Sequence, residues 1–147
     1  MRVSVVRKNI KFTPDSRRVV ARYFMNGYER TQQMVIRIMM LDEKQVLQTL
    51  EQTLREFARR HRNISAVFFK HCEKIRPIIE SMQIDYEGMS LDRKMLIGSY
   101  CTMEYAIESA AIFNPSIVED FDQTGLEFGE KRVIISFRAT GEGHISS

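Results

Sequence analysis

The chain has no long apolar run, few cysteines and little net charge. Each of these features excludes a class of protein from consideration. No window approaches the roughly 18 consecutive apolar residues of a membrane-spanning helix, so no membrane protein is predicted. The 22 basic and 19 acidic residues leave a net charge of +3. That balance is too even to predict binding to nucleic acid or to an anionic membrane surface. The N-terminus lacks the long apolar core of a signal peptide, which favours a cytoplasmic location.

The chain has only two cysteines, Cys72 and Cys101, far apart in the sequence. Two isolated thiols do not make a disulfide framework. We expect both to be reduced and buried as small apolar side chains.

What the chain does contain is typical of a globular protein. It has 147 residues, of which 44% are hydrophobic and 28% are charged. This is the size of one domain, with enough apolar surface to bury a modest core and without the composition of a disordered chain.

The first part of the chain, residues 1–40, is predicted to be an extended lead-in with short strands. Alternating apolar residues and a run from Val19 to Phe24 favour strands there. A helical block is then predicted over residues 41–113. Its first helix starts at Asp42, which forms a capping box with Gln45 three residues later.

Two further helices are predicted in that block. The second begins near Asn63 or Ser65, and Pro77 inside its pattern should kink or interrupt it. The third begins after the N-cap Ser90 and ends by Phe113. Three amphipathic helices joined by short loops predict a small antiparallel bundle.

After this block, residues 119–131 are acidic, contain two glycines and are predicted to be a loop. The run Val133–Phe137 is rich in β-branched and aromatic residues and predicts a strand. The fold class expected from these patterns is α+β, a helical bundle preceded by short strands and followed by one or two more.

Few residues suggest chemistry by spacing alone. The histidines and cysteines show no metal-ligand spacing, so we expect no metal site. Glu104 and Glu108 lie one helical turn apart in the predicted third helix and could serve acid–base chemistry. A solvated helix face, or contacts to nearby arginines, is the more common interpretation of such a pair.

One segment is suited to a sugar. Asn114 and Ser116 flank a rigid proline, and Arg138 lies at the end of the predicted strand. An amide, a hydroxyl and a guanidinium provide the donors and acceptors that sugar hydroxyls need. From the residues alone, a plain turn remains the more common interpretation of Asn-Pro-Ser.

Two strings carry a family resemblance: MEYAIESAAIFNPSIV at 103–118 and RVIISFRATGEGHISS at 132–147. Both resemble the opening of glycoside hydrolase family 130, in the branch with a helical N-terminal extension. Residues 10–15 and 18–22 are also similar to that branch. The resemblance implies a five-bladed β-propeller that cleaves β-mannosides with inversion. Cleavage is by hydrolysis or by phosphorolysis with inorganic phosphate as co-substrate, and hydrolysis of β-1,2-mannosides is favoured.

The resemblance also assigns residues. It implies that Asn114 and Arg138 contact the sugar in the innermost subsite, while Ser116 and His144 lie in the matching strings as further substrate-binding candidates. It implies no metal and no organic cofactor, and the ligand would be a β-mannoside oligosaccharide.

The catalytic carboxyl groups of the family lie further along the chain, so no catalytic residue is expected here. Residues 114–147 would be the start of a truncated propeller. We expect the chain alone to be inactive and to self-associate through its unpaired strand.

Two other functions stay open at this point. The chain could be a freestanding helical protein-interaction module without catalysis. Nucleic-acid binding through the basic segment 55–62 is the third interpretation, although the balanced charge of the chain argues against it. The amphipathic helical extension is also a surface on which a homo-oligomer could form.

Overall fold

The computed structural model describes residues 9–15, 17–108 and 110–142. Within them the chain is α+β, with four helices and two antiparallel sheets of two strands each. The elements follow in the order β1 (Val19–Tyr23), α1 (Tyr28–Met39), α2 (Glu43–Ala58), α3 (Ile64–Ser81), α4 (Leu91–Tyr100), β2 (Thr102–Ala106), β3 (Ala111–Glu119) and β4 (Val133–Thr140).

These elements form two compact units. The helical unit runs from Arg17 to Ala106 and contains all four helices with the β1–β2 sheet. The hairpin unit comprises the described residues among 1–16 and 107–147 and contains the β3–β4 sheet. No helix among the described residues is long and apolar enough to cross a membrane.

The prediction of an extended lead-in up to residue 40 was wrong over Tyr28–Met39, which is helix α1. The predicted strand before it is confirmed as β1. Thr31, Val35 and Ile38 are buried in α1 at a spacing of three and four residues, which is the helical period. That period was hidden because β-branched Val35, Ile36 and Ile38 favour strands by propensity.

Helix α2 begins as its sequence predicts. Asp42 Oδ1 accepts a hydrogen bond from Gln45 N at 2.8 Å, and Asp42 N donates to Gln45 Oε1 at 3.0 Å. The predicted capping box is therefore confirmed, and its reciprocal bonds satisfy two backbone donors at the helix start.

Helix α3 also begins where expected, at Ile64 after the N-cap Asn63. The sequence predicted a kink or an interruption at Pro77; the interruption was wrong, because the helix continues to Ser81. Ile75 and Ile79, on either side of the proline, are both fully buried. Burial of these two side chains outweighs the loss of one backbone donor at Pro77.

Helix α4 starts after Ser90, whose hydroxyl accepts a hydrogen bond from Arg93 N at 3.3 Å, as predicted. It ends at Tyr100, so the predicted extension to Phe113 was wrong. The chain from Thr102 to Ala106 instead forms β2, which pairs antiparallel with β1. The prediction failed because this pairing is with a strand far away in the sequence, and such pairing overrides local helical spacing.

The core of the helical unit is formed where α3 and α4 meet α1 and α2. Both thiols lie in it, free and buried as predicted. Its fully buried side chains are Val35, Val46, Leu50, Phe68, Cys72, Ile75, Ile79, Leu96 and Ile97.

The hairpin unit contains the predicted strand. Val133–Phe137 is confirmed as part of β4, which continues to Thr140 and pairs antiparallel with β3. The ladder runs from Ala111 opposite Thr140 to Glu119 opposite Val133, with an irregularity between Phe113 and Ser116. The described residues show this single hairpin and no closed propeller.

Candidate functional site

Asn114 lies within the irregularity of β3. Its φ is +52°, in the left-handed region that few residues other than glycine adopt. Asparagine tolerates this region better than most side chains do. Pro115 follows and has no N–H to donate, so the ladder cannot continue regularly through this point. The result is a bulge that holds the exposed Asn114 outside the regular pleat of the strand.

Arg138 lies on β4 directly opposite Phe113, the residue before Asn114. Its guanidinium carbon is 5.8 Å from the centre of the Phe113 ring, within the range of a cation–π contact. The Arg138 side chain remains exposed. The Phe113 ring therefore contacts the Arg138 guanidinium and leaves its N–H donors available.

The other two predicted sugar ligands are Ser116 and His144. Ser116 resumes the ladder opposite Ser136, and its side chain is exposed. His144 lies outside the described residues. Asn114, Ser116 and Arg138 thus share the bulged part of one hairpin, within three positions of the Phe113–Arg138 pair.

Two aromatic residues next to the predicted ligands were not predicted from the sequence. Phe113 contacts Arg138, whereas Phe137 precedes Arg138 on β4 and therefore points to the other face of the sheet. The Phe137 ring packs at 4.7 Å between centroids against Phe12 of the lead-in. The available signal was that each phenylalanine immediately precedes a predicted sugar ligand, Asn114 or Arg138.

The carboxylate pair proposed for acid–base chemistry does not exist as a pair, and neither residue lies on a helix. Glu104 is on β2 in the helical unit, while Glu108 follows that strand and accepts a hydrogen bond from the backbone N–H of Asp15 at 3.2 Å. The prediction of a shared helix face was wrong because α4 ends at Tyr100.

Glu104 has a clear structural role. Its carboxylate accepts from Arg60 Nη2 at 2.7 Å and lies 2.6 Å from His61 Nε2. Partial burial alone would raise the pKa of Glu104, but the hydrogen bonds from Arg60 and His61 hold that pKa below its ordinary value. The ionised Glu104 carboxylate therefore joins β2 to the residues that follow α2. This agrees with the predicted alternative of contacts to nearby arginines.

The described part of the chain contains no group of three or more His, Cys, Asp or Glu side chains placed to hold a metal ion. Its hollows of about 190 Å³ and 400 Å³ beside α1 are lined only by residues of the helical unit. Neither hollow includes one of the predicted sugar ligands.

The chain matches no family model, no curated protein and no solved structure.

Proposed function

We propose that this chain is part of a carbohydrate-active enzyme that cleaves β-mannosides with inversion, and that its β3–β4 hairpin supplies one side of the innermost sugar subsite. Hydrolysis of β-1,2-linked mannosides is the favoured reaction, with phosphorolysis as the variant of the same chemistry. The helical unit would brace the catalytic domain. The catalytic carboxyl groups would come from sequence outside residues 1–147.

The observation that carries this proposal is the conformation of Asn114. A positive φ at a residue other than glycine costs free energy, though less at asparagine than at most residues. Among the described residues Asn63 and Gln83 share it, and both lie at the ends of α3. Asn114, in contrast, lies within a strand. Here the position bears an exposed amide, precedes a proline, and lies beside the Arg138–Phe113 pair. The side chains of Asn114 and Arg138 are both exposed on the bulged part of the hairpin, which supports their assignment to one ligand.

Sugar chemistry fits these groups. A pyranose offers hydroxyls that both donate and accept, and the Asn114 amide can do both as well. Arg138 adds a planar set of N–H donors whose direction is limited by the Phe113 ring below it. Short polar groups on a rigid strand are the usual way to orient a polar ligand.

The hairpin also has the exposure expected of one piece of a larger sheet. Ile134 and Ile135 are consecutive on β4 and therefore point to opposite faces, yet each is 47% exposed. A strand with apolar residues on both faces is typical of a sheet that is covered on both sides. An isolated two-stranded sheet is marginally stable in water, so further strands would be needed to complete it. A propeller blade, a sheet of four strands, would provide them.

The test uses the reading frame that carries this chain, expressed with the sequence that follows codon 147. We expect it to encode further strands and two carboxylates, and its product to release mannose from β-1,2-mannobiose. Turnover with and without inorganic phosphate separates phosphorolysis from hydrolysis. A stop after codon 147, with no neighbouring frame that encodes blades, would support the helical interaction module instead.

Variants of that product test the subsite. Asn114→Gly keeps the positive φ but removes the amide, so it separates the loss of a ligand from backbone strain. We expect Asn114→Gly and Arg138→Ala each to lower kcat/KM by about tenfold or more, as loss of a charged or well-placed hydrogen bond to substrate does. Arg59→Ala, which removes an exposed arginine of the helical unit, is the matched control and should leave kcat/KM unchanged. Wild-type activity in both site variants would refute the assignment.

A further inference from the structure

The loop that joins β3 to β4, residues 120–132, holds two large apolar side chains in solvent. We name it the aromatic loop. Phe121 and Phe128 in it are 102% and 107% exposed, which means that neither ring has any cover. Singly exposed apolar side chains are common on protein surfaces, so these two rings indicate a contact surface only in combination with the order and charge of the loop.

The aromatic loop is ordered by its own hydrogen bonds. The Gln123 amide donates to the carbonyl oxygens of Asp120 and Arg132 at 2.6 Å and 3.0 Å, and its oxygen accepts from Arg132 N at 2.9 Å. The Arg132 guanidinium donates to the carbonyls of Asp122 and Thr124 at 2.9 Å and 3.2 Å. A loop with these internal bonds loses little further entropy on docking, so its exposed rings are suited to binding.

The aromatic loop has four acidic and two basic side chains, a net charge of −2, and one of the acidic groups, Asp122, already pairs with Arg132 at 3.4 Å. Between positions 120 and 130 the side chains are acidic at four places and basic at none: Asp120, Asp122, Glu127 and Glu130. The two basic residues at the end of the loop already have partners. Lys131 forms an ion pair with Glu119 at 2.8 Å, and the Arg132 guanidinium donates to a backbone carbonyl of the loop. The partner surface should therefore be apolar and carry basic side chains.

The helical unit contains one such surface beside α1. Met34, Ile38, Leu41 and Tyr100 line a hollow of about 400 Å³ together with Arg37, and we name it the α1 groove. Tyr100 is 59% exposed there. Arg37 is exposed and has no recorded ion pair within the described part of the chain. Arg30 lies two helical turns earlier on the same side of α1, and its recorded hydrogen bond among the described residues is to the uncharged amide of Asn26.

We propose that the α1 groove binds the aromatic loop of a second copy of this chain. Phenylalanine rings would enter the apolar hollow, and the loop carboxylates would meet Arg37 and Arg30. The charges are complementary, and a guanidinium also favours an aromatic face. In two copies related by a twofold axis, the aromatic loop of each copy would bind the α1 groove of the other, so the assembly closes as a dimer. This inference uses neither Asn114 nor Arg138 and does not depend on the proposed function.

The test measures the mass of the full 147-residue chain by sedimentation at loadings from about 1 to 300 µM, a range that covers a weak, small interface. We expect the wild type to pass from monomer to dimer. Arg37→Glu and Glu127→Arg each place like charges in both contacts of the dimer. Each should weaken dimerisation by about tenfold or more. Neither side chain has a recorded bond within the described residues, so both variants should fold.

Mixing the two variants provides the decisive comparison. In the mixed dimer, the loop of the E127R chain meets the groove of the R37E chain, and the remaining contact is wild type. Both contacts are then favourable, so dimers should return on mixing. They should also return in the R37E/E127R double variant. A wild type that stays monomeric, or a mixture that does not recover, would overturn the proposal. The proposal would also be overturned if the charge substitutions changed the sedimentation of the chain equally at all protein concentrations. That result would mean that the loop and the groove meet within one chain.

Discussion

Gly98 is the position at which one added methyl group should do the most damage. Helix α4 passes so close to α3 that a Cβ on Gly98 would lie 2.6 Å from the carbonyl carbon of Phe68, closer still to its oxygen, and 3.0 Å from Cys72 N. Ordinary contacts are about 3.5 to 4.0 Å. The neighbours are backbone atoms of a helix, so no side-chain rotation can relieve the overlap. The two helices must separate by about 1 Å.

The magnitude follows from the packing that this separation loosens. A gap of 0.5–1 Å forfeits about a quarter to a half of each dispersion contact, and a buried side chain makes about 40–60 contacts of about 0.1–0.2 kcal/mol. Phe68 and Cys72 face Leu96 and Ile97 in the core. These values give a loss of about 1 to 6 kcal/mol per side chain, and we take the equivalent of one side chain, about 3 to 5 kcal/mol, because only the contacts that cross the gap between the helices are loosened. Alanine's better helix propensity returns about 1 kcal/mol, so the net loss is about 2 to 4 kcal/mol.

The assay is thermal unfolding followed by circular dichroism, with urea unfolding for the free energy. A unit of this size loses about 4–8 °C per kcal/mol, so Gly98→Ala should lower Tm by roughly 10–30 °C. Gly88→Ala is the matched control, because its Cβ would meet only the flexible side chain of Asp85. Its effect should stay within about 1 kcal/mol. Equal stability of Gly98→Ala and wild type would refute the close approach of α4 to α3.

Three further predictions concern polar groups of the helical unit. Arg93 is buried and donates to the carbonyls of Ile38 at 2.5 Å and Leu41 at 2.8 Å. Arg93→Ala should therefore lower the free energy of unfolding, measured in urea, by about 2–3 kcal/mol. An Arg93→Ala protein that is more stable than Arg93→Lys would contradict this. Burial and two nearby lysines lower the pKa of His71 from 6.5; stability should fall as pH drops below that value, and His71→Asn should flatten the slope. The depressed pKa of Glu104 contributes stability above about pH 4.5 that is lost as pH falls through the folded value, and Glu104→Gln should remove that step.

The elements that local chemistry determines could be predicted from the sequence. The Asp42–Gln45 capping box and the Ser90 N-cap depend on residues three positions apart, and both were found where expected. The strand over Val133–Phe137 was predicted from its β-branched residues and was confirmed. Each of these signals acts within a few residues, so no knowledge of the fold is needed to interpret it.

The elements that depend on distant partners were mispredicted. Thr102–Ala106 has helical spacing continuous with α4 but becomes β2, because β1 lies alongside it. Glu104 and Glu108 were misassigned for the same reason. The helix over Tyr28–Met39 was missed because its buried side chains are few and β-branched.

For the candidate site, the sequence predicted Asn114, Ser116 and Arg138, and the hairpin brings all three to one bulge. The φ of Asn114 and the contact between Arg138 and Phe113 required coordinates. Neither feature is encoded in spacing, because each depends on how β3 and β4 pair across an irregular ladder.

The central claim is that Asn114 and Arg138 hold the same sugar ring. A double-mutant cycle on kcat/KM for β-1,2-mannobiose tests it directly, with Asn114→Gly, Arg138→Ala and the pair of changes in the product of the complete frame. Residues that grip one ring should show a coupling energy of about 1 kcal/mol or more, so that the double variant loses less than the two single losses combined. Losses that add in full would place the two side chains on separate ligands or separate functions and contradict the claim.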